Sequence, residues 1–142
     1  MTLTELLSRL VAINSVNPAL VAHAPGERAI TDFIAGWLAN RGVALKEIPS
    51  GEPAADRPSL LCRVAGRGRG RSLLLYAHSD TVGVDGMASP CTAAIRGGAL
   101  LARGACDMKG SLAAILRVAA DVAARPCAGA LWLLIVADEE SD

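Results

Sequence analysis

Aromatic side chains are scarce in this sequence: it holds two Trp, one Tyr and one Phe in 142 residues. A core must therefore be built from Leu, Ala, Val and Ile, which dominate a composition that is 52% hydrophobic. That content excludes a disordered tail, and the length suits one domain with a sizeable core. Net charge is also missing, since 14 basic residues balance 14 acidic ones. Without a general basic field, neither nucleic acid nor an anionic membrane is an expected partner. No CxxC pair occurs among the four dispersed cysteines, Cys62, Cys91, Cys106 and Cys127. Free thiols in a reducing cytoplasm are the expectation. The opening residues carry Glu5 early and no basic stretch, so a signal peptide is not expected. The longest apolar run, residues 128–137, is roughly half of a membrane span. A soluble, cytoplasmic protein is expected.

What is present is an alternation of helical and strand-like patterns. Thr2 and Glu5 form a capping box ahead of Leu6, Leu7, Leu10 and Ile13, predicting a first helix to about Ala12. Pro25-Gly26 opens a second helix, with Ile30, Phe33, Ile34, Trp37 and Leu38 on one face and Asn40-Arg41-Gly42 as its C-cap. Strands are predicted over residues 43–48, 60–64 and 72–77, the last dense enough in apolar residues to be a buried central strand. Residues 51–58 form a polar, Pro-containing loop. Residues 66–71, Gly-Arg-Gly-Arg-Gly-Arg, read either as an RGG-like nucleic-acid contact or as a flexible hairpin tip. No aromatic residue interleaves the arginines, which favours the tip. Gly97-Gly98 marks a two-residue hairpin. A third helix is predicted over residues 109–124, stopped by Pro126, and a further buried strand over residues 130–137. This order predicts an α/β fold, a three-layer sandwich around a mixed, partly parallel sheet.

Three polar clusters lie where strands or turns end. His78-Ser79-Asp80 follows the apolar run 73–77, and an extended backbone would point residues two apart the same way. The pattern suits a ligating imidazole whose other nitrogen is held by a carboxylate; a satisfied strand-end histidine is the alternative. In Arg103-Gly104-Ala105-Cys106-Asp107-Met108-Lys109-Gly110 a phosphate loop is ruled against, because Met108 stands where Gly must precede the lysine. Asp107 among glycines at a strand–helix junction points to a cation, or else to a simple helix N-cap. Asp138-Glu139-Glu140 follows the last strand; adjacent carboxylates repel and call for a positive partner, unless they form a solvated acidic loop. His, Asp and Glu together suit zinc, cobalt or manganese.

On these residues the sequence resembles the M20 metallopeptidases, which include acetylornithine deacetylases, succinyl-diaminopimelate desuccinylases and glutamate carboxypeptidases. The family's H-x-D appears as His78-Ser79-Asp80, its D-M-K-G as Asp107 to Gly110, and its D-E-E as Asp138 to Glu140. Ser15-Val16-Asn17-Pro18 and Pro25-Gly26-Glu27 fit a weaker N-terminal pattern. The resemblance implies two zinc ions, one on His78 and the other on Glu140, bridged by Asp107. It further implies that Asp80 orients His78, that Glu139 is the general base toward a zinc-activated water, and that the peptide after Asp107 is cis. The implied activity is hydrolysis of an amide bond in an N-acyl amino acid or small peptide.

The sequence departs from the pattern at Gly83, where the family has proline, and over residues 85–90, where it has a tryptophan-containing stretch. Family members are more than twice this length. The resemblance therefore implies that residues 1–142 are the N-terminal part of the catalytic domain. A lid domain used for dimerisation, a further acidic ligand and a second histidine are expected outside them. With His78, Asp107 and Glu140 alone, each of two zincs would have two protein ligands, below the three of a catalytic site, and the chain alone is expected to be inactive. Two alternatives remain: a non-catalytic remnant or half of a split protein acting by association with another chain, and a nucleotide-binding α/β module. The acidic clusters disfavour the second.

Overall fold

The structure, a computed structural model, describes residues 1–49 and 56–141. Most of the expected 51–58 loop and Asp142 therefore lie outside the described residues. Helix α1 (Leu3–Ala12) begins on the predicted capping box: the Glu5 amide donates to Thr2 Oγ1 (3.2 Å) and the Thr2 amide to Glu5 Oε2 (2.7 Å). Helix α2 (Arg28–Ala39) starts two residues later than Gly26. The delay has a local cause. Gly26 is left-handed (φ 68°), and the Glu27 side chain makes no cap because it is committed to Arg57.

Strands β1 (Ala44–Ile48), β2 (Ser59–Ala65), β3 (Leu73–His78) and β6 (Ala130–Val136) form one sheet in the order β1-β2-β6-β3. Strands β4 (Ala94–Arg96) and β5 (Ala99–Leu101) pair as a separate hairpin across Gly97-Gly98, both at positive φ as such a turn requires. Helix α3 (Gly110–Ala124) follows and ends, as predicted, ahead of Pro126. The sheet is mixed: β1–β2 and β2–β6 are antiparallel, β3–β6 parallel.

Two sequence expectations change here. Among the described residues β3 lies at the edge of the sheet, and Leu73 and Leu74 are 58% and 55% exposed. The central strand on that side is β6. An apolar run reports a strand able to be buried, not its place in the sheet. Residues 66–71 are not a hairpin tip either, because β6 is inserted between β2 and β3, so the segment crosses over the end of the sheet. Its glycines allow backbone-to-backbone contact with residues 127–129: a Cβ on Gly66 would meet the Gly129 carbonyl oxygen at 1.7 Å, and the Arg67 amide donates to the Cys127 carbonyl (2.7 Å).

The strict alternation of burial along β6 puts Leu131, Leu133 and Ile135 on one face, joined there by Leu60, Cys62 and Val64 of β2. Against that face pack Leu6 and Leu10 of α1, Ile30, Ile34 and Leu38 of α2, and Leu112, Leu116 and Ala119 of α3, in one aliphatic cluster. Helices and sheet are thus two of the expected layers. Leucines enclosed this fully typically cost about 2–5 kcal/mol to truncate to alanine. All four cysteines are free. No helix among the described residues is long and apolar enough to cross a membrane.

The parallel β3–β6 pair, in register from Leu73↔Leu131 to His78↔Val136, is what positions the site. It brings the carboxyl ends of both strands to the same edge, so residues 78–80 and 137–140 emerge side by side. A strand-end crevice of this kind is where open α/β sheets carry their sites.

Candidate metal centre

His78 closes β3 with its side chain 4% exposed, and Asp80 follows with its side chain fully buried. His78 Nδ1 lies 3.3 Å from Asp80 Oδ1, as the two-residue spacing predicts. That contact turns Nε2 outward, 3.2 Å from Asp107 Oδ1 and 3.8 Å from Glu139 Oε2. In the neutral imidazole a proton on Nδ1 is shared with Asp80, and the Nε2 lone pair faces the acidic cluster.

Asp107 reaches His78 from an irregular turn, Ala105–Lys109, between β5 and α3. Its backbone is extended there (φ −119°, ψ 106°) and the Asp107–Met108 peptide is cis. Neighbours on both sides hold the turn. The His78 amide donates to Met108 Sδ (3.3 Å), and the Lys109 amide donates to the Gly104 carbonyl (2.8 Å). The buried Lys109 ammonium donates to the Ile13 carbonyl at the C-terminus of α1 (2.8 Å), the end of a helix that favours a cation. Burial lowers the Lys109 pKa to about 8.

The third cluster is placed by Asp80. Its Oδ2 accepts the Glu140 amide (3.0 Å) and the Asn17 side-chain amide (2.8 Å), and its Oδ1 accepts the Glu139 amide (3.3 Å). One carboxylate thus orients the imidazole and anchors the turn bearing both glutamates. As a result one donor atom each of His78, Asp107 and Glu140 lies within 4.8 Å of the others. Glu139 stands at the rim, its side chain 46% exposed. All five residues singled out from the sequence come together.

Their charges respond to one another. Hydrogen bonding to Asp80 is the main cause raising the His78 pKa to about 9, against burial, with Asp107 assisting. Burial would raise Asp80, but His78, the Glu140 amide, Asn17 and the Glu139 amide together hold it down at about 2. Glu140 is raised, first by burial and then by the carboxylates of Asp107, Asp80 and Glu139. Negative charge here exceeds its protein partners, and protonated His78 supplies the compensation that a cation would otherwise give.

A pH dependence follows for the metal-free protein. A raised folded pKa makes the His78 contribution to stability complete below 6.5 and lost as pH rises through about 9. The depressed Asp80 contributes fully above 3.8 and loses that contribution as pH falls through about 2. Denaturant unfolding of chelator-treated protein is expected to show stability declining from pH 6.5 to about 8, above which deprotonation of Lys109 offsets the His78 loss, and His78→Asn should remove that decline. An unchanged slope in the variant would place its origin elsewhere.

Sequence reasoning named Asn17 and Glu27 only as parts of a weak pattern and passed over Arg57. All three turn out to contact the residues around the site. Glu27 is fully buried and takes a bidentate pair from Arg57 (2.7 Å each). Arg57 sits in a polar loop with no periodic signal, and nothing in one sequence links it to Glu27.

The model of peptidase family M20/M25/M40 matches residues 74–142, which hold all three clusters. A succinyl-diaminopimelate desuccinylase of Gluconacetobacter diazotrophicus is 37% identical over 121 residues, covering 82% of this chain and 31% of the relative. An acetylornithine deacetylase of Yersinia pseudotuberculosis is 33% identical over 146 residues, covering 96% and 36%. The crystal structure of human carnosine dipeptidase 1 shares the fold, with a TM-score of 0.82 at 21% identity, over 98% of this chain and 32% of that one. The chain spans about a third of the length of the curated relatives it matches.

Proposed function

The chain belongs to the M20 peptidase family, and from that premise we propose that it serves a metal-dependent hydrolase of amide bonds in N-acyl amino acids or small peptides. The observation that carries this reading is the convergence of His78, Asp107 and Glu140 to within 4.8 Å. One imidazole nitrogen and two carboxylates fit a borderline divalent cation such as zinc, cobalt or manganese, and their surplus negative charge asks for one. These three residues would hold the metal. If a second ion were bound, as the resemblance implies, Asp107 would serve both, and further donors would be drawn from beyond these three. On this reading the 142 residues are one part of a larger catalytic domain.

A divalent ion bound there supplies Lewis-acid polarisation of the substrate carbonyl and acidifies water. The chain's own residues do the rest. Asp80 keeps the His78 proton on Nδ1 and holds the turn of residues 138–140. The Glu139 carboxylate, partly solvated at the rim, takes the proton of the attacking water and returns it to the departing amine. Both acyl-amino-acid relatives, the desuccinylase and the deacetylase, release a free amine from an N-acyl group, so that substrate class is the first to test.

The full-length protein is expected to hydrolyse an N-acetyl or N-succinyl amino acid or a dipeptide. It should lose that activity on treatment with a chelator and regain it with zinc or cobalt. Metal-free protein that hydrolyses these amides at the same rate would sink the reading.

A further inference from the structure

We propose that Asn17, backed by the buried Glu27–Arg57 pair, is a positioning residue of this site: its side-chain amide ties Asp80 to Asp138 and thereby sets the turn that presents Glu139 and Glu140. The inference rests on the metallohydrolase reading above and adds residues from the N-terminal half of the chain to it.

Asn17 arrives by a backbone route. Thr81, just past Asp80, bridges to the segment after α1: its amide donates to the Ser15 carbonyl (3.0 Å), and the Asn17 amide donates to the Thr81 carbonyl (2.9 Å). The Asn17 side chain is thereby carried, fully buried, between the ends of β3 and β6. Its Nδ2 donates to Asp80 Oδ2 (2.8 Å) and to Asp138 Oδ1 (2.9 Å), while its Oδ1 accepts the Ala19 amide (2.8 Å). The orientation of the amide is therefore dictated by its partners: two carboxylates face one end, and an N–H faces the other. Every hydrogen of the Nδ2 group is used, and each goes to a different carboxylate.

Asp138 needs this support. Its backbone is left-handed (φ 66°), a conformation that a non-glycine residue holds only where its surroundings impose it. Those surroundings are Asn17, the Arg57 guanidinium (2.9 Å) and the Ser141 hydroxyl (2.6 Å), all donating to Asp138 Oδ1, with the Asp138 amide donating to Glu27 Oε1 (3.2 Å). Arg57 in turn is fixed by its bidentate bond to Glu27, whose side chain is wholly buried. A buried, paired charge of this type resists displacement, because breaking it strands the partner. The chain of contacts runs Glu27–Arg57–Asp138–Asn17–Asp80–His78. Without the Asn17 donor, Asp80 and Asp138 would face each other as two carboxylates with no donor shared between them, although Arg57 and Ser141 would still hold Asp138. Their repulsion would move residues 138–140 off Asp80, and Glu140 away from His78 and Asp107.

The test uses the full-length protein and compares Asn17→Ala with the isosteric Asn17→Asp. Cobalt affinity, the visible cobalt absorption spectrum, kcat, KM and the melting temperature of the metal-free form are measured for each. Both variants are expected to bind cobalt about 10–100-fold more weakly, with an altered spectrum and a matching fall in kcat, while KM stays within about twofold. Asn17→Asp should be at least as impaired as Asn17→Ala, because it adds a third carboxylate in place of the donor. A space-filling role predicts the opposite order. Wild-type cobalt binding and kcat in both variants, or their restoration in Asn17→Asp, would overturn the proposal. If Asn17→Ala does not fold, Arg57→Lys decides: it keeps the charge but not both arms, and wild-type cobalt affinity and kcat in it would overturn the proposal as well. A wild-type protein that binds no divalent metal would instead overturn the underlying reading of the site.

Discussion

Replacing Glu139 by glutamine in the full-length protein is expected to lower kcat by about 10²–10⁴-fold while the metal is retained. Glutamine matches the glutamate in size and cannot accept the proton of an attacking water. The substitution leaves the anchoring of the turn intact, because Asp80 holds residue 139 through its backbone amide. Glu139 Oε2 is 3.8 Å from His78 Nε2, near enough to face the same reacting space without belonging to the group of three donors that lie within 4.8 Å of one another. Steady-state kinetics with metal analysis by mass spectrometry checks both halves of the expectation. Turnover like that of the wild type would remove Glu139 from the role of base. Lost metal together with lost turnover would reassign it as a ligand.

Asp107→Ala is expected to have the opposite signature. Cobalt or zinc binding should weaken by at least about 100-fold, and hydrolysis should fall with it, since a charged donor leaves a set of three. The fold should scarcely notice. The Asp107 side chain is 78% exposed, and substitutions at such positions usually change stability within about 0.5 kcal/mol. Titration with cobalt and a thermal melt of the metal-free variant separate the two effects. Wild-type affinity in Asp107→Ala would break the proposed donor set. The pair of variants is informative because one predicts metal without turnover and the other a stable fold without metal.

How far the sequence led can be judged residue by residue. The capping box at Thr2 and Glu5, the Gly97-Gly98 hairpin and the stop of α3 ahead of Pro126 were legible because each is a local rule, satisfied within a few residues. The clusters at His78, Asp107 and Glu140 were legible as types of residue placed after strands. Their meeting was not derivable from spacing, since Asp107 is 29 residues from His78 and comes in on an irregular turn rather than on a strand. Arg57 carried no signal at all. Its importance arises from a bond to Glu27, 30 residues earlier, that periodicity does not encode. The apolar run of β3 misled about both burial and position: Leu73, Leu74 and Tyr76 are half or more exposed, because among the described residues β3 is an edge strand, and which strands flank it is not written in hydrophobicity.

The shortage of aromatic residues and the wealth of Leu, Ala, Val and Ile did determine the nature of the core, and the observed cluster is almost wholly aliphatic. The sequence alone likewise singled out side chains with the chemistry to bind a cation. Only the tertiary structure decided that these side chains share a place. The parallel pairing of β3 with β6 sets His78 level with Val136 and so puts the acidic turn beside the imidazole. The bridge from Thr81 to residues 15–17 then delivers Asn17 between Asp80 and Asp138. Both are contacts between distant segments, fixed by which strands pair, and no local pattern of residues names the partner.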